Sequence, residues 1–136
     1  MASSGLLLDT NVVSELRKPV QRMNAGVYER AAGIDSSGAY LSAITISELA
    51  QWVASTQRRD ALQGALLNDW LHDQVLAQYA GRILPVDTDV ALVAGRLHVP
   101  NRDAFIAATA MRHHLTLVTR NVHDFPPTTK VLNPFT

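Results

Sequence analysis

The sequence contains no cysteine and only two lysines, Lys18 and Lys130, and its 12 basic side chains are balanced by 12 acidic ones over 136 residues. The first absence excludes disulfides and thiolate-bound zinc. The second, with a net charge of zero, denies the chain the broad positive field of a protein that coats nucleic acid, so any such contact must be local. Basic clusters at Arg17 and Lys18, Arg58 and Arg59, and Arg112 with His113 and His114 each read as solvated helix faces. No apolar run approaches the roughly 20 residues of a membrane span. Leu6, Leu7 and Leu8, with no basic residue ahead of them, are too few for a secretory core, and a cytoplasmic location is expected. What is present is 47% apolar residues, with no repeat, low-complexity segment or linker. A chain of this length buries roughly two thirds of its unfolded surface and folds without a covalent or metal staple. One domain over residues 1–136 is therefore expected.

Leu6 to Leu8 reads as a short strand ending at Asp9, and Thr10 and Asn11 as caps of a helix that Pro19 closes. The glycine-dotted stretch to Gly38 reads as a second short helix with a loop, and Tyr40 to Ser42 as a brief strand. Thr45 and Glu48 have capping-box spacing, which puts Glu48 in the first turn of a helix. Arg58 to Tyr79 reads as a helical pair or one long helix with a break near His72, and Trp52 and Trp70 as core at helical spacing. Ile83 to Val86 is an edge strand or one that ends early, because Pro85 cannot donate to a ladder. Asp87 or Thr88 caps the next helix. Pro100 and Asn101 separate that helix from a buried one, Ala104 to Met111, which Asp103 opens. A buried strand, Leu115 to Val118, a turn-rich loop to Pro127 and a last strand, Lys130 to Leu132, complete the pattern. Strands alternating with helices of this length predict an α/β fold, a central parallel sheet flanked by helices, whose site lies at the carboxyl ends of the strands.

Four acids fall near that edge: Asp9, Glu48, Asp103 and Asp124. Each also has a purely structural reading, Asp9 as a cap, Glu48 as half of a capping box, Asp103 as a complement to a helix dipole. Carboxylates gathered within a few ångströms repel and raise one another's pKa, a conflict that a divalent cation removes. All-oxygen donors favour magnesium (Mg2+) or manganese (Mn2+) over zinc. Such a centre suits phosphodiester hydrolysis by a metal-activated water.

The run Leu6-Leu7-Leu8-Asp9-Thr10-Asn11-Val12-Val13-Ser14-Glu15-Leu16-Arg17 resembles the opening of PIN-domain proteins, especially the VapC-type and FitB-like toxins of bacterial toxin-antitoxin modules. Ser42-Ala43-Ile44-Thr45-Ile46-Ser47-Glu48-Leu49 is similar to the family's second acidic motif, and Asp103-Ala104-Phe105-Ile106-Ala107-Ala108-Thr109-Ala110 to its third. Leu115-Thr116-Leu117-Val118-Thr119-Arg120-Asn121, with Asp124-Phe125, is similar to its last, and Asn133-Pro134-Phe135 also fits. The resemblance spans Leu6 to Phe135. It implies the PIN-domain fold and a metal-dependent endoribonuclease in which Asp9, Glu48 and Asp103 match the metal-binding acids. For the fourth acid the family offers two positions, one occupied here by Asn121 and the other by Asp124. Thr119 and Asn11 match polar positions beside the acids and are expected to orient them or their waters. The resemblance further implies an RNA substrate, a transfer RNA or a ribosomal RNA loop, a cognate antitoxin, and a homodimer. The antitoxin is expected to set an arginine against the acids, which without metal would form a pocket of unbalanced negative charge.

Two other readings compete. Ile83-Leu84-Pro85-Val86-Asp87-Thr88-Asp89-Val90 resembles the Asp-x-Asp motif of haloacid-dehalogenase-type phosphatases, with Asp87 as nucleophile, although that fold needs a later lysine and acidic pair and here only Lys130 follows. The third is a PIN-like domain kept as an inert binding module, which would be expected to have lost acids from the cluster.

Overall fold

The computed structural model describes residues 5–32 and 36–136. Five strands, β1 (Leu6–Leu8), β2 (Ala39–Ser42), β3 (Ile83–Leu84), β4 (Thr116–Val118) and β5 (Val131–Leu132), form one sheet of order β3-β2-β1-β4-β5. Every pairing is parallel; β1, at the centre, sets Leu7 opposite Tyr40 on one side and Leu117 on the other. Among the described residues six α-helices connect the strands: α1 (Thr10–Leu16), α2 (Ala25–Ala32), α3 (Ala43–Arg59), α4 (Ala61–Trp70), α5 (Thr88–Ala94) and α6 (Asn101–Arg112).

Alternation of side chains along a strand sends neighbouring apolar residues to opposite faces. Leu8, Leu41 and Val118 pack under α1, α3 and α4 with Val12, Leu49, Val53 and Leu67. Leu7 and Leu117 face the other way, against Ile106, Ala107 and Ala110 of α6 and Phe125. A satellite core joins Val90 and Ala94 of α5 to Ala104 and Ala108 of α6. The central strand β1 is thus covered on both faces, which explains why Leu6–Leu8 reads as a continuous apolar run. β3 is an edge strand that stops one residue before Pro85, as the missing donor requires.

The structure moves three expected boundaries. Ser42, not Thr45, caps α3: its side chain accepts from the Ile44 N–H, so the helix starts directly after β2, Thr45 is fully buried inside it, and Glu48 falls in the second turn. The break after this helix comes at Asp60, which leaves Arg58 and Arg59 in the last turn of α3. There the backbone is extended and the Asp60 carboxylate caps α4 at the Gln63 N–H. Near His72 the helix does not break but widens into a π-helical stretch, Leu71–Leu76, that keeps Leu71 and Val75 buried. Trp52 and Trp70 are not both core. They meet edge to face at 6.1 Å, Trp52 is exposed, and the Arg17 guanidinium lies over both rings. The loop expected before Gly38 falls partly on residues 33–35, outside the described ones.

Candidate active site

The strand order reverses between β1 and β4, and in open parallel sheets that switch point opens a crevice at the carboxyl ends of the strands. Asp9 stands there, the residue after β1, with its backbone N–H donating to the Val118 carbonyl of β4 at 2.9 Å. Its carboxylate has no exposed surface. Four contacts sustain that burial: the Thr10 N–H at 2.8 Å, the Thr119 hydroxyl at 2.7 Å, and the Arg102 guanidinium at 2.6 Å and 3.4 Å. Asp9 therefore caps α1 and at the same time holds Arg102.

Glu48 reaches the same place from the second turn of α3, and Asp103 from the first turn of α6. What joins the three acids is Arg102, which the sequence reading did not select. Its Nη2 donates to Asp9 Oδ1 at 2.6 Å and to Glu48 Oε1 at 2.8 Å, its Nε to Glu48 Oε2 at 2.9 Å, and its Nη1 to Asp103 Oδ1 at 3.3 Å. The grip on Glu48 is the two-pronged pairing of a guanidinium with a carboxylate. One signal could have flagged Arg102: a cation in the first helical turn opposes the macrodipole, so an acidic partner outside the helix had to be sought. Thr10, read as a cap, is the other missed residue; its hydroxyl donates to Glu48 Oε1.

The charge balance follows from these contacts. The hydrogen bond from Arg102 is the main reason the Glu48 carboxyl lies below its ordinary range; burial opposes the shift and the Thr10 hydroxyl assists it. For Arg102, burial works against the cation, but hydrogen bonds and Coulombic attraction from Glu48 and Asp9 outweigh it and hold its pKa above the usual value. Three carboxylates against one guanidinium leave the cluster net negative, with part of its charge met from within the chain. One arginine of this chain already sits against the acids.

Thr119 and Asn11 lie beside the acids. The Thr119 hydroxyl, fully buried, donates to Asp9 and accepts from Asn11 Nδ2 at 3.2 Å and from the Asn121 N–H at 3.1 Å, while Asn11 Oδ1 accepts from the Arg120 N–H. The crevice mouth is lined by Thr10, Asn11, Glu48, Arg102, Asp103 and Asn121. Asn121 is thus the residue of the last motif that borders it. Asp124 is exposed, in a 3-10 turn (Val122–Asp124) three residues on, and is not among the lining residues. Asp87 caps α5 through the Val90 N–H at 2.9 Å, which accounts for the phosphatase-like motif without a nucleophile.

The donor set of Asp9, Glu48 and Asp103, all carboxylate oxygen, suits a hard divalent cation, and the convergence of three acids on one guanidinium shows that the cradle accepts positive charge. Their present spacing is that of a guanidinium: among the described residues, no three acid or histidine side chains are placed to hold a metal ion.

The sequence that builds this site is matched by a known family. The PIN domain model covers residues 6–126, and the chain belongs to the PIN-domain family. It is 35% identical to Toxin FitB of Neisseria gonorrhoeae, over 88% of this chain and 90% of that protein. It is 33% identical to VapC ribonuclease Y4jK of Sinorhizobium fredii, over 96% and 97%. Among solved structures it superposes on the FitAcB crystal structure from Neisseria gonorrhoeae with a TM-score of 0.86 and 34% identity, covering 95% of this chain and 97% of that one.

Proposed function

We propose that the chain is the toxin of a toxin-antitoxin module and a divalent-metal-dependent endoribonuclease, with residues 1–136 working as one unit. The observation that carries this reading is the meeting of Asp9, Glu48 and Asp103, from three separate elements, on a single cationic group at the switch point. Names of relatives support it: one is a toxin and another a ribonuclease. FitAB, whose structure bound to a DNA fragment contains a chain 32% identical to this one, supports a protein partner here, taken as the cognate antitoxin. Among the described residues no helix is long and apolar enough to cross a membrane; action in the cytoplasm, on a transfer RNA or a ribosomal RNA loop, and as a homodimer, is the reading taken from the family.

Asp9, Glu48 and Asp103 would hold the ion, Mg2+ or Mn2+. Once bound, such an ion lowers the pKa of a water and stabilises charge on the scissile phosphate. The chain's own contribution is positional. Asp9 is fixed from below by Thr10 and Thr119, while Glu48 and Asp103 reach the open crevice where the water and the phosphate must arrive. Asn11 and Thr119 keep the Asp9 carboxylate from turning. For the fourth position we favour Asn121, which borders the crevice, over Asp124.

The test is cleavage of cellular RNA by the purified chain. Cutting is expected with Mg2+ or Mn2+ and not in excess chelator, and Asp9→Asn or Asp103→Asn should abolish it while circular dichroism stays native. Undiminished cutting in chelator, or by either variant, contradicts the reading. Mapping the 5′ ends of the fragments identifies the RNA.

A further inference from the structure

The geometry points to Arg102 as a two-position arm: without metal it closes the acid cluster as an internal counter-ion, and with metal bound it turns outward to hold a phosphate of the RNA. This rests on the metal-nuclease reading above and adds to it a role for a residue of this chain.

The first position is the one observed. One guanidinium contacts Asp9, Glu48, Asp103 and the Thr10 oxygen, and it takes up both oxygens of Glu48. A hard divalent ion needs those same oxygens at about 2.0–2.5 Å. The arginine nitrogens already stand within hydrogen-bond distance of them, so the two cations compete for these oxygens and repel at contact range. Binding of metal is therefore an exchange, not an addition.

The second position follows from what then holds Arg102. Its helix does not, since residue 102 lies in the first turn of α6, where the positive end of the macrodipole favours the neighbouring Asp103 and opposes a cation. Its side chain is one-third exposed at the open mouth of the crevice, so a rotation of the side chain alone frees it. Among the described residues that line the mouth, Arg102 is the one cation; the others are Thr10, Asn11, Asn121 and two acids. A polyanion approaching two acids needs positive charge beside the metal, and a released guanidinium offers a fork matched to phosphate oxygens.

The experiment compares the whole chain with Arg102→Met, Arg102→Lys and Asp103→Asn, each verified by circular dichroism. Mn2+ affinity is read from the free-ion signal in electron paramagnetic resonance. A cluster closed about 90% of the time weakens apparent affinity about tenfold, so Arg102→Met should bind Mn2+ about tenfold more tightly, and Arg102→Lys, which keeps the charge but loses the fork, should fall between. At saturating Mn2+, Arg102→Met should raise the KM for RNA about tenfold, with a smaller change in kcat. Equal or weaker Mn2+ binding by Arg102→Met, alongside loss of binding in Asp103→Asn, overturns the exchange while leaving the metal site intact. An unchanged KM overturns the outward position. No Mn2+ binding by any chain removes the metal-nuclease reading and this inference together.

Discussion

Thr119 shows how much depends on a single hydroxyl. It is fully buried, it donates to a carboxylate that is itself fully buried, and it also accepts from a side-chain amide and a backbone N–H. Valine has nearly the same shape but leaves Asp9 with one fewer donor and two other groups without their acceptor. Thr119→Val is expected to destabilise the fold by about 1–3 kcal/mol, the scale for a buried carboxylate that loses a donor. Urea denaturation in chelator measures this; a loss below about 0.3 kcal/mol would show that water replaces the hydroxyl. Asp9, Glu48 and Asp103 could be picked from the sequence because they fall near expected strand ends or helix starts, where acids have a position to explain. Arg102 offered only its unfavourable place in a helix's first turn as a signal, because its partners lie 54 and 93 positions away.

The long helical region shows where local signals mislead. Strands and helices could be read from apolar spacing, but the boundary between α3 and α4 rests on Asp60, an acid with no glycine or proline beside it, and on how closely the two helices approach. Gly64 of α4 is buried at that contact: a β-carbon there would sit 2.5 Å from the Gln57 Cα and 2.7 Å from its nitrogen, and would overlap its Cγ. Helix propensity alone says that Gly64→Ala stabilises by about 1 kcal/mol. The neighbour is backbone and cannot swing aside, so the overlap decides the sign. Overpacking of this kind costs about 1–3 kcal/mol, and Gly64→Ala is expected to lower the melting temperature, as scanning calorimetry would show. An increase would mean that α3 and α4 can separate without loss.

Stability of the whole fold should carry an acid limb whose sign is fixed by two carboxyls. The Asn24 N–H, above all, with Lys18 assisting and burial opposing, holds the buried Glu15 below the ordinary value of 4.5; Arg102 does the same for Glu48. Both groups bind protons more readily unfolded than folded. Their contribution is therefore fully present above pH 4.5 and is lost as pH falls through the lower folded values. Melting temperatures in chelator should be level from pH 7 to about 5 and then fall. Glu15→Gln should flatten part of that fall; an identical slope in the variant would show that Glu15 does not contribute. The all-parallel arrangement was readable because strands alternate with helices, whereas the placing of β3 beside β2, rather than beyond β4, was not encoded in any local pattern.

The sheet has one more consequence, and it concerns how other chains can approach. Both of its outer strands, β3 and β5, are two residues long, and Pro85 follows the first. A border that short gives an incoming extended segment almost no ladder to join. The molecule is thereby protected from end-to-end stacking into fibres, and a partner protein that binds it tightly must do so by packing on helices instead of extending the sheet.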